Sequence, residues 1–296
     1  MVGKSFFTGG MVPPYRFVFC GEESNMALFR IILRILKLIA VVIWMCLIGL
    51  YTFIGLLFIK DNWDKRYFSS KCARIWGMGL RWIIGLDIKI NGDSKQLEQG
   101  GLIVSNHTGY CDIVAHASIF PVRFAPKQQI RSWPFLGTYL SLSQPIWINR
   151  NSTQQAKQVA EQFKETLEHG INLIVYPEGT STDGQSGLLP FKSTAFEAVS
   201  GTGLPILPLI TVYHDTKDGN TLPWHSNQKL LPHIWRLLGY TSISAELHIL
   251  PAIYTDKRMN RKQLAALTRE KMIQKYQDIT GNEPEAPIEK YKIPKE

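Results

Sequence analysis

The chain has 296 residues, 45% of them hydrophobic and 11% aromatic, which suffices for one full-sized α/β domain plus an attachment segment and excludes global disorder. Thirty-three basic against 24 acidic residues give a formal charge of +9; this favours an anionic membrane surface, a phosphorylated substrate or nucleic acid, the last set aside because no RRM, zinc-finger or helix-turn-helix spacing is present. The four cysteines, Cys20, Cys46, Cys72 and Cys111, are scattered without CxxC spacing, so neither a disulfide framework nor a zinc site is indicated and a reducing compartment fits.

Residues 38–59 form a run of 22 without a single charge, and about 20 apolar residues in a helix cross the hydrocarbon core. The run starts too late for a secretory signal and is followed by Lys60-Asp61-Asn62-Trp63 rather than a small-residue cleavage site, so it is retained. A helix entering it places Arg30, Arg34 and Lys37 on one face and Phe29, Ile32, Leu33 and Leu36 largely on the other, the pattern of an interfacial lead-in. Within about 20 residues of each end, three basic residues precede the run (Arg30, Arg34, Lys37) and five follow it (Lys60, Lys65, Arg66, Lys71, Arg74), so the downstream side is the better cytoplasmic candidate. A single crossing and a re-entrant hairpin turning near Gly49 both keep the bulk of the chain there.

After Trp63 short apolar runs alternate with amphipathic stretches. Strands are expected at 87–90, 102–104, 122–125, 146–148, 172–176, 206–213 and 245–250, and helices at 72–84, 156–168, 193–199 and 261–279. This alternation predicts an α/β fold: a mixed, largely parallel sheet covered by helices, with an N-terminal membrane helix or helical hairpin. The organisation expected is an N-terminal segment over 1–25, membrane attachment over 26–62, a catalytic domain over 63–280 and a flexible tail over 281–296, the last rich in Pro and charge. Sites in such sheets form where loops leave the strand ends.

One such loop carries Ser105-Asn106-His107-Thr108-Gly109-Tyr110-Cys111-Asp112. A histidine titrates near the pH at which an alcohol must be relieved of its proton, and a carboxylate can fix its tautomer. Alone, a His and an Asp five positions apart fit a structural loop equally well. Downstream, Ile146-Trp147-Ile148-Asn149-Arg150 ends a strand in arginine, Tyr176-Pro177-Glu178-Gly179-Thr180 ends another, and Leu204-Pro205-Ile206-Leu207-Pro208 opens the strand that follows.

Together these four blocks, in this order and spacing, resemble the glycerolipid acyltransferases typified by lysophosphatidic acid acyltransferases. The first matches that family's NHxxxxD, the second its arginine-ending strand, the third its EGT and the fourth its proline-flanked strand. The resemblance covers roughly residues 70 to 255; Phe124-Ala125-Pro126-Lys127, Trp133-Pro134-Phe135-Leu136-Gly137 and Pro190-Phe191-Lys192 also fall where the family has counterparts. It implies transfer of a fatty acyl group from acyl-CoA or acyl carrier protein to the free hydroxyl of a lysolipid, without a cofactor, metal or acyl-enzyme. His107 is then the general base and Asp112 its orienting partner, with Asn106, Arg150, Glu178, Gly179, Thr180 and Lys192 binding substrate. The implied partners are membrane lipids, the lysolipid acceptor and the acyl donor. Amides near the Glu178-Gly179-Thr180 turn are candidates for the oxyanion donors.

One residue departs from the family: EGT is followed by Ser181, where the family usually has an arginine that helps to hold the acceptor phosphate. A lysophospholipid or lyso-ornithine lipid therefore stands as an alternative acceptor, and Lys192 as a compensating cation. A membrane thioesterase or lipase and a non-catalytic lipid-binding module are the alternatives from other classes. Cys111 as a nucleophile would need to face His107 from the same loop, and Ser105 lacks a GxSxG elbow. His116, His169, His214, His225, His233 and His248 show no metal-ligand spacing, which leaves solvated or hydrogen-bonded roles. Pro205 and Pro208 are expected to shape the strand entrance rather than touch substrate.

Overall fold

The structure is a computed structural model and describes residues 20–97, 100–149, 153–185, 187–214, 222–226, 228–256 and 258–281. Most of the expected N-terminal segment, nearly all of the expected tail and Arg150 lie outside these residues.

Helix α1, Cys20–Phe58, contains the uncharged run and continues unbroken through Gly49. By length and composition its Asn25–Phe58 portion could cross a membrane. Phe29, Ile32, Leu36, Ile43, Leu47 and Leu57 are all exposed. A turn inside the run is therefore corrected: the chain reverses after it, at residues 59–61, where the Asp61 carboxylate accepts from Trp63 N–H at 2.7 Å and Asp64 N–H at 2.9 Å and starts helix α2, Asn62–Ile84. This cap explains why α2 begins ten residues before the expected helix at 72–84.

Helix α2 runs back along α1. Trp44 donates from Nε1 to Trp76 O at 3.1 Å, and Lys37 donates from Nζ to Ile84 O at 2.8 Å and to Tyr240 O at 2.6 Å. The Arg34 guanidinium lies 5.6 Å over the Trp235 ring. Arg34 and Lys37 thus face the protein body, while the apolar residues beside them face outward. On its other side α2 meets helix α3, Tyr110–Ile119. Their close approach depends on Gly77, where a Cβ would come within 2.6 Å of Ser118 N.

The sheet contains β1 (Leu86–Asn91), β2 (Leu102–Ser105), β3 (Val122–Arg123), β4 (Asn172–Val175), β5 (Pro205–Tyr213), β6 (Ile243–Ile249) and β7 (Ile253–Tyr254). Its order is β1-β6-β5-β2-β4-β3, with β7 also paired to β5. The β1·β6, β5·β2, β2·β4 and β4·β3 pairs are parallel, and β5·β6 and β5·β7 are antiparallel. The mixed, mostly parallel sheet covered by helices is the expected fold class.

Strands β2 and β4 are buried at every position, as befits a parallel sheet covered on both faces. Ile103, Ile174, Leu207 and Leu209 join α2, α3 and helix α6 (Leu230–Leu237) in one core. Leu102, Leu173, Ile206 and Ile210 join helix α5 (Thr153–Glu168), the 3-10 turn Ser193–Val199 and helix α7 (Arg261–Thr280) in the other. The alternation along each strand follows from its two-residue period.

Three expectations need correcting. Residues 146–148 make one isolated bridge, Ile148 to Lys127, because Pro126 has no N–H to give and the chain then turns into the 3-10 segment Gln128–Ser132 and the short helix α4, Leu136–Ser141. The strand at 122–125 shortens to β3, and the helix at 193–199 is 3-10 rather than α. Pro208 stands where β5 changes partner, between the β7 register at Pro205–Ile206 and the β6 register at Leu209–Tyr213, a position where its missing N–H breaks no ladder.

Candidate active site

Strands β2 and β4 are parallel neighbours, so their C-terminal ends lie side by side and release the His107 loop and the Glu178 turn together. His107 Nδ1 is 2.8 Å from Asp112 Oδ2. The histidine side chain keeps 22% of its surface exposed while Asp112 keeps none.

Asp112 sits in the first turn of α3 and also accepts from Thr108 N–H at 2.6 Å, Gly109 N–H at 3.1 Å and Thr108 Oγ1 at 2.9 Å. Burial opposes its charge, but the His107 contact, the nearby His116 and the amide donors outweigh burial and hold its carboxyl below the ordinary carboxylate range. A carboxylate so fixed favours a proton on Nδ1 and leaves Nε2 as the basic nitrogen. Gly109 makes the loop possible, because at its φ of 151° a Cβ would meet Trp224 at 3.0 Å; Trp224 N–H in turn donates to Thr108 O at 2.7 Å.

Glu178 is turned inward. One carboxyl oxygen accepts from His107 N–H at 2.8 Å and the other from Leu189 N–H at 2.9 Å. Its surface is 1% exposed, and burial pushes its pKa up to about 8 despite the two amides and Arg269. Arg269 of α7 fastens the same segment by donating to Leu188 O at 2.6 Å and Leu189 O at 3.0 Å. Thr182 N–H closes the other side of the loop on His107 O at 2.8 Å.

Asn106 is likewise committed to the fold. Its amide donates to Thr211 O at 2.9 Å and accepts from Thr211 N–H at 2.8 Å, so it pairs with β5 as a strand residue would. Neither Glu178 nor Asn106 offers a polar atom to a ligand in this arrangement, contrary to the substrate-binding roles expected for them. Gly179 lies under the Lys192 side chain, and its N–H is given to Tyr176 O at 3.1 Å. Thr180, Ser181 and Lys192 are half-buried at the same edge.

Cys111 is buried, and burial, with the Asp112 charge added to it, pushes its thiol pKa far up, so the thiol is not the nucleophile. Ser105 is fully buried, with Oγ 3.4 Å from both Asn106 Oδ1 and His116 Nε2. Among the described residues no group of three or more His, Cys, Asp or Glu could hold a metal ion.

Two residues outside the expected site complete it. The Tyr176 ring stacks under the His107 imidazole, with centroids 4.2 Å apart and planes at 21°, and the buried His116 meets the Tyr176 hydroxyl. Their only sequence signals are a tyrosine at the end of an apolar strand and a histidine four residues after Asp112.

Comparison with known proteins agrees with this geometry. The family described as Acyltransferase matches residues 87–212. A 1-acyl-sn-glycerol-3-phosphate acyltransferase of Neisseria meningitidis is 28% identical over 57% of this chain and 66% of its own length, so the chain spans about two thirds of that relative. A lyso-ornithine lipid O-acyltransferase of Pseudomonas aeruginosa is 26% identical over 81% of this chain and 91% of its own length. The crystal structure of the 1-acyl-sn-glycerophosphate acyltransferase PlsC from Thermotoga maritima shares the fold with a TM-score of 0.64 at 16% identity, covering 87% of this chain and 98% of that one. With the NHxxxxD pair closed at the end of β2 and the EGT turn latched to it, these matches support a glycerolipid acyltransferase family for the chain, whose residues 87–212 carry the Acyltransferase match.

Proposed function

We propose that this protein transfers a fatty acyl group from a thioester donor, acyl-CoA or acyl carrier protein, to the free hydroxyl of a lysolipid such as 1-acylglycerol-3-phosphate. The observation that carries the reading is the half-open imidazole of His107 held at 2.8 Å by a fully buried carboxylate. His107 Nε2 takes the acceptor's hydroxyl proton as its oxygen attacks the thioester carbonyl, and Asp112 stabilises the imidazolium that forms. The tetrahedral oxyanion needs fixed donors; the Gly179 N–H is already given to Tyr176 O, so the candidate is Thr180, the next residue of the turn that Glu178 latches to the His107 loop. Collapse expels the thiolate, which recovers the proton from His107, so no acyl-enzyme is needed.

The test is transfer of a labelled acyl chain from both donor types. His107→Ala should lose transfer and remain membrane-bound, and near-normal turnover would remove the mechanism. Labelled free fatty acid in place of diacylated product would favour the hydrolase reading.

Ser181 favours a second reading of the acceptor, since the position after EGT carries no cation for a phosphate. A lyso-ornithine lipid head fits that absence, and the Pseudomonas aeruginosa relative of that activity aligns over most of its length. Competition between the two lysolipids for one acyl donor separates the readings.

The membrane is proposed to hold α1 on its apolar side. Trp82 and Met78 of α2 and Leu231 of α6 are exposed on elements that adjoin α1, and the basic excess after the apolar run supports a catalytic portion on the cytoplasmic face. Alkaline carbonate should leave the protein in the membrane pellet, and release into the supernatant would contradict this placement.

A further inference from the structure

The base has two supports, and only one of them is Asp112. Asp112 fixes His107 through Nδ1, which sets the rotation of the ring about its own bond. The tilt is set from below by the Tyr176 ring, stacked at 4.2 Å. A stacked ring holds another only if it is itself held, and the Tyr176 hydroxyl lies 2.9 Å from His116 Nδ1.

His116 is fully buried, with Nε2 2.8 Å from Thr211 Oγ1 on β5. Burial brings its pKa down to about 4, against a smaller opposing pull from Asp112, so at neutral pH the imidazole has one donor and one acceptor, shared chiefly between the Tyr176 and Thr211 hydroxyls, with Ser105 Oγ farther from Nε2 at 3.4 Å. A Phe at 176 and a Leu at 116 would fill similar space without desolvating three polar groups. The polar arrangement therefore does something that packing alone does not: it pins the far end of the Tyr176 ring to β5.

Asp112 and His116 are four residues apart, one turn of α3. A single helix thus holds the catalytic imidazole twice, directly at its Nδ1 edge and by relay beneath its face. We propose that His116 is a positioning residue for acyl transfer, acting through Tyr176 to hold the His107 ring at the tilt from which Nε2 meets the acceptor hydroxyl. The inference rests on the reading of His107 as the base.

The test uses the full-length protein in mixed micelles with 1-acylglycerol-3-phosphate and labelled acyl-CoA, and compares Tyr176→Phe, His116→Leu, His116→Gln and the double variant Tyr176→Phe/His116→Leu. Misplacing a base by a fraction of an ångström lowers turnover without weakening substrate binding, so Tyr176→Phe and His116→Leu should each lower kcat by about tenfold with KM within about twofold. Both remove the same contact, so the double variant should be no worse than the poorer single one. His116→Gln keeps a polar partner for the hydroxyl and should recover most of kcat.

Losses that multiply in the double variant, or a His116→Gln no better than His116→Leu at equal thermal stability, would overturn the relay. Normal kcat in both single variants beside an inactive His107→Ala overturns this inference alone. Retained transfer in His107→Ala overturns the base assignment and the relay with it.

Discussion

The Glu178 carboxyl accepts the backbone N–H of His107 at 2.8 Å, so the turn that ends β4 sets the height of the loop that ends β2. Its second oxygen holds Leu189, and Arg269 holds the same segment from α7. The acid of the EGT block thereby acts as a latch between two loops. Removing it in Glu178→Ala leaves two buried N–H groups unpaired, at about 1–3 kcal/mol each. The unfolding midpoint and kcat should fall together, with KM for the lysolipid little changed. A rise in KM at unaltered stability would restore Glu178 to substrate binding.

Burial also gives stability a defined pH dependence. His116 and His233 are brought down from 6.5 to about 4, by burial first, so the unfolded chain binds their protons between those values and stability rises with pH there. Glu178 is raised from 4.5 to about 8; the folded state keeps its proton across that range, and stability falls as pH rises through it. Two gains outweigh one loss up to pH 6.5 and only the loss remains above it, so these three groups place the maximum near pH 6.5. Denaturant midpoints at about pH 5, 6.5 and 8 check this. In Glu178→Gln the decline above the maximum should vanish.

Asn106 pairs with both backbone atoms of Thr211. Asn106→Leu strands a buried N–H and a buried C=O in β5 and should destabilise the fold by about 2–5 kcal/mol. The folded fraction should bind lysolipid with unchanged affinity, measured by competition with a labelled analogue. A selective loss of affinity in a stable variant would count against the structural role.

Ser181 sets up a test by gain rather than loss. Ser181→Arg adds a cation after EGT and should raise kcat/KM for 1-acylglycerol-3-phosphate by about tenfold over that for a lyso-ornithine lipid. An unchanged ratio would place the headgroup contact elsewhere.

Much of the fold is legible in the residues themselves. The uncharged run could form little else than α1, and β2, β4 and β5 read as continuous apolar strands because both faces of the sheet are covered. Helix α3 was hidden: its first turn lies inside the motif loop, and its N-terminus depends on Asp112 accepting from Gly109, a contact that only the closed loop displays. Residues 146–148 have a strand's composition but no neighbour with a full ladder to offer.

The site divides the same way. The spacing of His107 and Asp112 brings them together across the first turn of α3. The direction of the Glu178 and Asn106 side chains is decided by tertiary partners 71 and 105 residues away, which spacing along the chain does not encode. The place of Tyr176 and His116 beside the site is not legible in the sequence, because a buried aromatic and a hydrogen-bonded buried histidine look like ordinary core until the ring above them is seen.

Helix α2 bears on α1 along one side and on α3 along the other, and α3 carries Asp112, which holds the His107 imidazole. Anchor and reaction centre are thus joined through packed helices, and the imidazole rides at one altitude relative to whatever plane α1 occupies. With α1 in the membrane as proposed, a lipid whose hydroxyl floats above or below that altitude would be out of reach before its head is recognised, which would make depth a criterion of selection beside charge.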